Sequence, residues 1–112
     1  MDLVTHLMDL EHRLATGAGA VYEETLTRDA LVVVPGMVLD KTACVAAMDA
    51  SPGWDRVELG EPRHITRAEA VTLVYTFSGW RGDEHYRATL SSTYVEEGTS
   101  WHLMLHTQTP TV

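Results

Sequence analysis

The segment from 70 to 109 constrains the fold more than any other part of the chain. Residues 70–80 (AVTLVYTFSGW) and 84–96 (EHYRATLSSTYVE) are rich in β-branched and aromatic side chains, and Arg81-Gly82-Asp83 between them has turn chemistry. Glu97-Gly98 makes a second tight turn into a last strand over 99–109. Long strands joined by short turns make an antiparallel meander, and a meander with an apolar face needs something to cover it.

The cover lies upstream. Leu3, Leu7, Leu10 and Leu14 fall at helical spacing and predict an amphipathic helix, with Asp2 placed to cap its start and Gly17 and Gly19 to end it. A shorter second helix follows, with Val21, Tyr22, Thr25 and Leu26 on one side. Arg28-Asp29 leads into an opening strand, DALVVVPG over 29–36, which turns at Pro35-Gly36 into a brief return strand over 37–39. Asp40 sits where an N-cap belongs, before a third helix with Ala43, Cys44, Ala47 and Met48 along one face, and Ser51-Pro52-Gly53 stops it. Residues 54–68 read as one strand region bent near Gly60 and Pro62. The predicted class is α+β: three N-terminal helices packed on a strongly curved antiparallel β-sheet, one domain over 1–112.

Composition removes several functions. The chain has 16 acidic and 8 basic residues for a net charge of −8, and Lys41 is its only lysine. A nucleic-acid binder carries a basic footprint, so neither nucleic acid nor an anionic membrane is expected as a partner. Cys44 is the only cysteine, so no internal disulfide forms. The opening MDLVTHLMDLEHRL lacks the basic flank and apolar block of a signal peptide, and no apolar run approaches a membrane span, so the chain reads as cytoplasmic.

Leu10-Glu11 in the leading helix, Asp29-Ala30 running to Pro35-Gly36, the helix after Asp40, and Gly98-Thr99-Ser100-Trp101-His102-Leu103 occur in an order that resembles the nuclear transport factor 2-like superfamily. The likeness is greatest to its SnoaL-like, ketosteroid-isomerase-like branch, much of it of unknown function. That resemblance implies a cone with a pocket between the concave sheet face and the helices, and a dimer through the convex face. One fold of this kind hosts many functions.

The resemblance also implies which side chains enter the cone: on the last strand, those at an odd offset from Trp101. Carried over, His102, Met104, His106 and Gln108 point inward, joined by Tyr86, Leu90, Ser92 and Tyr94, and by Val74, Thr76, Ser78 and Trp80. Tyr22 and Trp54 are expected near the pocket and its mouth. Leu73, Tyr75, Phe77, Trp101, Leu103 and Leu105 then form the opposite face, expected to pair two copies, with Arg87 an ill-fitting charge on it. Alternation alone leaves the reverse parity open, in which the aliphatic set packs on the helices.

Chemistry of the isomerase type needs a carboxylate base and a donor for an enolate. Aligned on Asp29-Ala30 and Pro35, the resemblance puts the base position at Val34 and the donor tyrosine at Leu10, and neither side chain moves a proton. His102 and His106 lie four apart on a strand, about 13 Å, too far to share a metal, and no metal motif accompanies them. No metal or cofactor is expected. The leading expectation is a homodimeric domain binding a small apolar or amphipathic molecule. The alternatives are an enzyme using His106 as general base and a dimerisation module with a vestigial cavity.

Overall fold

The computed structural model describes residues 2–111. Among them it has three helices, α1 (Leu3–Thr16), α2 (Gly19–Thr25) and α3 (Lys41–Ala50). Seven strands follow the order β1 (Leu26–Val34), β2 (Met37–Asp40), β3 (Arg56–Leu59), β4 (Arg63–Thr66), β5 (Ala70–Arg81), β6 (Glu84–Glu97) and β7 (Ser100–Pro110). They form one curved sheet in the order β2-β1-β7-β6-β5-β3, with β4 also on β5. The predicted helices-on-sheet cone is realised, with one amendment. β1 returns beside β7 in parallel, so the sheet is mixed; its other pairings are antiparallel.

Local chemistry sets the ends of these elements. Asp2 Oδ1 accepts from the Thr5 N–H at 2.9 Å and Asp40 Oδ1 from the Ala43 N–H at 2.8 Å, capping α1 and α3 as their positions predict. The β5–β6 turn needs a left-handed residue, which Gly82 supplies at φ 56°. The region 54–68 is two short strands rather than one, broken at Gly60-Glu61-Pro62, and β3 and β4 lie end to end along β5.

The core sits between the helices and the concave face. Leu7 and Leu14 of α1 and Cys44 of α3 meet Val71, Leu73, Tyr75 and Phe77 of β5, Leu90 and Tyr94 of β6 and Leu103 of β7, all buried. Each such aliphatic or aromatic side chain contributes roughly 1.5–3 kcal/mol on burial.

Two parts of the facing prediction are therefore corrected. On β5 the odd-numbered residues point inward, so Leu73, Tyr75 and Phe77 cover the helices and form no dimer face. Val74, Thr76, Ser78 and Trp80 lie on the outer face, paired with Ser91, Thr89, Arg87 and His85. On β7 the face changes partway along. Thr93 pairs with Leu105 but its neighbour Tyr94 pairs with Leu103, leaving Met104 as an extra, exposed residue. A bulge of one residue reverses the parity of everything beyond it. Before the bulge, Trp101 and Leu103 face in and His102 faces out; after it, His106 and Gln108 face in and Leu105 faces out.

Candidate functional site

Between the helices and the concave sheet lies a cavity of about 390 Å³. Its walls are largely apolar: Leu14 of α1, Val32 and Val34 of β1, Cys44 and Met48 of α3, Phe77, Leu90 and Leu103. Val34 thus forms pocket wall where the resemblance puts a base. Leu10 is half-buried and is not among the lining residues.

A carboxylate does enter the core, from the residue after Leu10 and not from the base position. Glu11 occupies the buried stripe of α1 between Leu7 and Leu14 and is 2 % exposed. Three hydroxyls converge on it. Tyr75 Oη donates to Oε1 at 2.7 Å, Ser92 Oγ donates to the same oxygen at 2.5 Å, and Tyr94 Oη donates to Oε2 at 2.6 Å. A buried anion is tolerable only when donors replace its water, and these three do so. Burial first, and then the Glu11 charge, push both tyrosine pKa values far above their ordinary range, so each stays a neutral donor.

From Glu11 the network runs along the sheet into the cavity. Ser92, whose hydroxyl hydrogen is engaged by Glu11, sits 2.8 Å from His106 Nδ1. Its oxygen can then only accept, so Nδ1 carries the imidazole proton and Nε2 the lone pair. That lone pair meets the Gln108 side-chain amide at 3.3 Å, and Gln108 Oε1 accepts from Tyr86 Oη at 2.9 Å. Every donor in the series has an acceptor under one assignment of protons. Burial holds the His106 pKa below its ordinary 6.5, opposed by the Glu11 charge, which favours the neutral ring.

The mouth is built from aromatic side chains and a loop. Gly79 lies on the inner face of β5, where a Cβ would come within 2.7 Å of Trp54, so glycine lets the indole lie against the strand. Trp54 stacks on Tyr86 with centroids 5.8 Å apart and meets Phe77 at 6.0 Å. The loop carrying Trp54 is pinned to the β5–β6 turn by Asp55, whose N–H donates to the Trp80 carbonyl and whose carboxylate accepts from the Gly82 N–H, both at 2.7 Å.

Of the predicted pocket residues, Tyr22, Trp54, Tyr86, Leu90, His106 and Gln108 line the cavity. Tyr22 commits its hydroxyl to the Leu14 carbonyl at 2.8 Å. Ser92 and Tyr94 are fully buried and reach the cavity through Glu11 and His106. Val74, Thr76, His102 and Met104 lie on the outer face or in the bulge and do not line this cavity. Glu11 is the residue that sequence reasoning missed. Its signal was an acid at a position where Leu7-Glu11-Leu14 is as regular a stripe as the leucines alone. Cys44 is fully buried, its thiol pushed up to about 11 by burial, as befits a packing residue. Among the described residues no group of three or more His, Cys, Asp or Glu side chains could hold a metal ion, and no helix is long and apolar enough to cross a membrane.

No protein-family model and no curated protein sequence matches the chain. Solved structures do. A candidate ketosteroid isomerase of Parabacteroides distasonis superposes with a TM-score of 0.86 at 12% identity, covering 98% of this chain and 89% of that one. An NTF2-like protein of Cytophaga hutchinsonii gives 0.84 at 15% identity over 99% and 100% of the two chains. An NTF2-like protein of Rhodospirillum rubrum, of unknown function in nutrient uptake, gives 0.82 at 15% identity over the full length of both. At such identities the likeness establishes the NTF2-like cone fold, and the reading of function rests on the side chains of this cavity.

Proposed function

From an NTF2-like cone with this cavity, we propose that the protein binds a small, mostly apolar molecule whose polar end meets His106 and Gln108. The observation that carries this reading is the pairing of an apolar chamber with a fixed polar end. His106 Nδ1 is tied through Ser92 to buried Glu11, while Nε2 faces only the long 3.3 Å contact with Gln108. A hydroxyl or amide N–H of a ligand can displace that weak partner. Chambers of about this size, with few convergent polar groups, are the usual form of a small-molecule site. The test is an amide NMR titration with a library of small apolar compounds bearing one hydrogen-bonding group, on the wild type and on Val34→Trp, which fills the chamber. Shifts clustered on β6 and β7 and lost in the variant support the reading; shifts unaffected by filling the chamber refute it.

A second reading is favoured by the state of His106. A neutral imidazole with its Nδ1 proton anchored and its Nε2 lone pair beside a cavity is equipped as a general base. In this reading Glu11 and Ser92 position the ring, and the isomerase-type carboxylate at the Val34 position is replaced by a histidine on β7. Any turnover found for a bound ligand would then vanish in His106→Asn and persist in Tyr22→Phe, whose hydroxyl is engaged by backbone.

We further propose that two copies pair through the outer sheet face, not the face first expected. Across the three central strands the middle of that face presents Thr72, Val74, Thr76, Thr89, Ser91, Thr93, Leu105 and Thr107, with Arg87 set toward the β5–β6 turn opposite Ser78. The acidic chain with one buried thiol suits the cytoplasm. A melting temperature that rises with protein concentration, and falls back in Ser91→Arg, tests the pairing; a monomer at all concentrations refutes it.

A further inference from the structure

Among the described residues that line the cavity, Arg81 carries the one permanent positive charge. It ends β5 at the mouth, and its orientation is fixed from two sides. Its Nε–H donates to the Gly53 carbonyl at 2.6 Å, and its guanidinium carbon lies 4.4 Å from the centroid of Trp54, which is itself stacked on Tyr86. These contacts use one N–H of the guanidinium fork and leave the two Nη groups, the end that takes a carboxylate through two parallel hydrogen bonds. No carboxylate among the described residues completes that arrangement. The ion pairs are Lys41 with Glu23 and Arg56 with Glu58. Asp49, also at the mouth, accepts from the Gly19 N–H, and Asp55 accepts from the Gly82 N–H. A chain of net charge −8 has acids to spare, yet this cation is held by a carbonyl and an indole face.

We propose that the ligand is an amphipathic monocarboxylate with a second hydrogen-bonding group at its far end: its carboxylate lies on the Nη edge of Arg81, its apolar body runs inward past Trp54, Phe77 and Leu90, and the far polar group meets His106 and Gln108. The proposal rests on the cavity being a ligand site. A monoanion suits the mouth better than a phosphate dianion, because a single cation stands there and Asp49 lines the same opening. The planar fork, stacked and hydrogen-bonded, is already in its binding geometry, so little side-chain entropy is lost when the acid docks.

The experiment is calorimetric titration with matched acid and alcohol pairs that share a far hydroxyl: 4-hydroxyphenylpropionate and 4-hydroxyphenylpropanol, 6-hydroxynaphthylacetate and 6-hydroxynaphthylethanol, 8-hydroxyoctanoate and 1,8-octanediol. In at least one pair the wild type should bind the acid about tenfold or more tighter than the alcohol, the size expected of a charge-assisted bidentate contact. Arg81→Gln should abolish that preference while the alcohol keeps its affinity, and Arg81→Lys, which retains charge without the fork, should lose part of it. Alcohols that bind as well as their acids would overturn the assignment of Arg81 and leave the cavity reading standing. Binding of neither member in all three pairs would overturn both. If Arg81→Gln fails to fold, the acid preference of the wild type and its partial loss in Arg81→Lys decide the matter alone.

Discussion

Tyr94→Phe isolates the value of one donor to the buried carboxylate. The ring of Tyr94 is fully buried in the core and keeps its packing in the variant, so only the hydroxyl is removed. Among the described residues that hydroxyl is the one donor to Glu11 Oε2, whereas Oε1 has both Tyr75 and Ser92. A hydrogen bond to a charged group contributes about 1.5–3 kcal/mol, and an orphaned charged acceptor sits at the upper end of that range. Tyr94→Phe should therefore cost about 2–3 kcal/mol. In a domain of this size that lowers the melting temperature by roughly 8–12 °C. Tyr75→Phe leaves Oε1 with Ser92 and should cost about 1 kcal/mol less. Urea denaturation of both variants gives the comparison, with an unchanged slope showing that the unfolded state is the same. A cost below about 0.5 kcal/mol for Tyr94→Phe, within the range of ordinary surface substitutions, would refute the network as described. So would an equal cost for the two tyrosines.

Other outcomes follow from the same geometry. Glu11→Met combined with Tyr75→Phe and Tyr94→Phe, with Ser92 kept as the partner of His106 Nδ1, should regain most of the stability lost in the single variants, because apolar groups of similar shape replace a buried charge at little net cost; calorimetric melting tests this. For His106 the folded pKa lies below the unfolded 6.5, so the folded state binds fewer protons between those values. The stability contributed is full above pH 6.5 and is lost as pH falls through the folded pKa. Equilibrium unfolding across that window should show a slope that His106→Asn flattens. Leu103→Ala should cost about 2–5 kcal/mol, while Met104→Lys should stay within about 0.5 kcal/mol, since the first side chain is buried and the second stands outside the ladder. Cys44 should resist thiol reagents in the native protein and react on unfolding.

Local rules made much of this legible in the sequence. Asp2 and Asp40 cap helices and Gly82 and Gly98 turn hairpins, because each depends on neighbours a few residues away; Gly60 and Pro62 read as a bend in one strand, where they divide two. The facing of β7 was legible only in part. An odd offset from Trp101 holds beyond Met104, where it placed His106 and Gln108 correctly, and fails before it, where it misplaced His102. A one-residue bulge leaves no mark in composition, and its effect is to invert every inference carried across it. On β5 the bulky odd-numbered set was the better guide, since a large concave area must be filled before a pocket can exist. Glu11 was hidden by distance: its partners lie 64, 81 and 83 residues away. An acid in an apolar stripe acquires meaning only when strands that far along bring hydroxyls to it. Arg81 reads as a turn residue for the same reason, because the Gly53 carbonyl and Trp54 ring that hold it come from the far side of β3 and β4.

The central claim, that the concave side is a binding chamber organised around His106, is tested most directly by soaking crystals of the protein with a library of small amphipathic molecules. The account predicts density inside the chamber with a polar atom within hydrogen-bond reach of His106 Nε2 and the Gln108 amide displaced from it. Compounds found only on the outer sheet face, with the chamber unoccupied across the library, would contradict it.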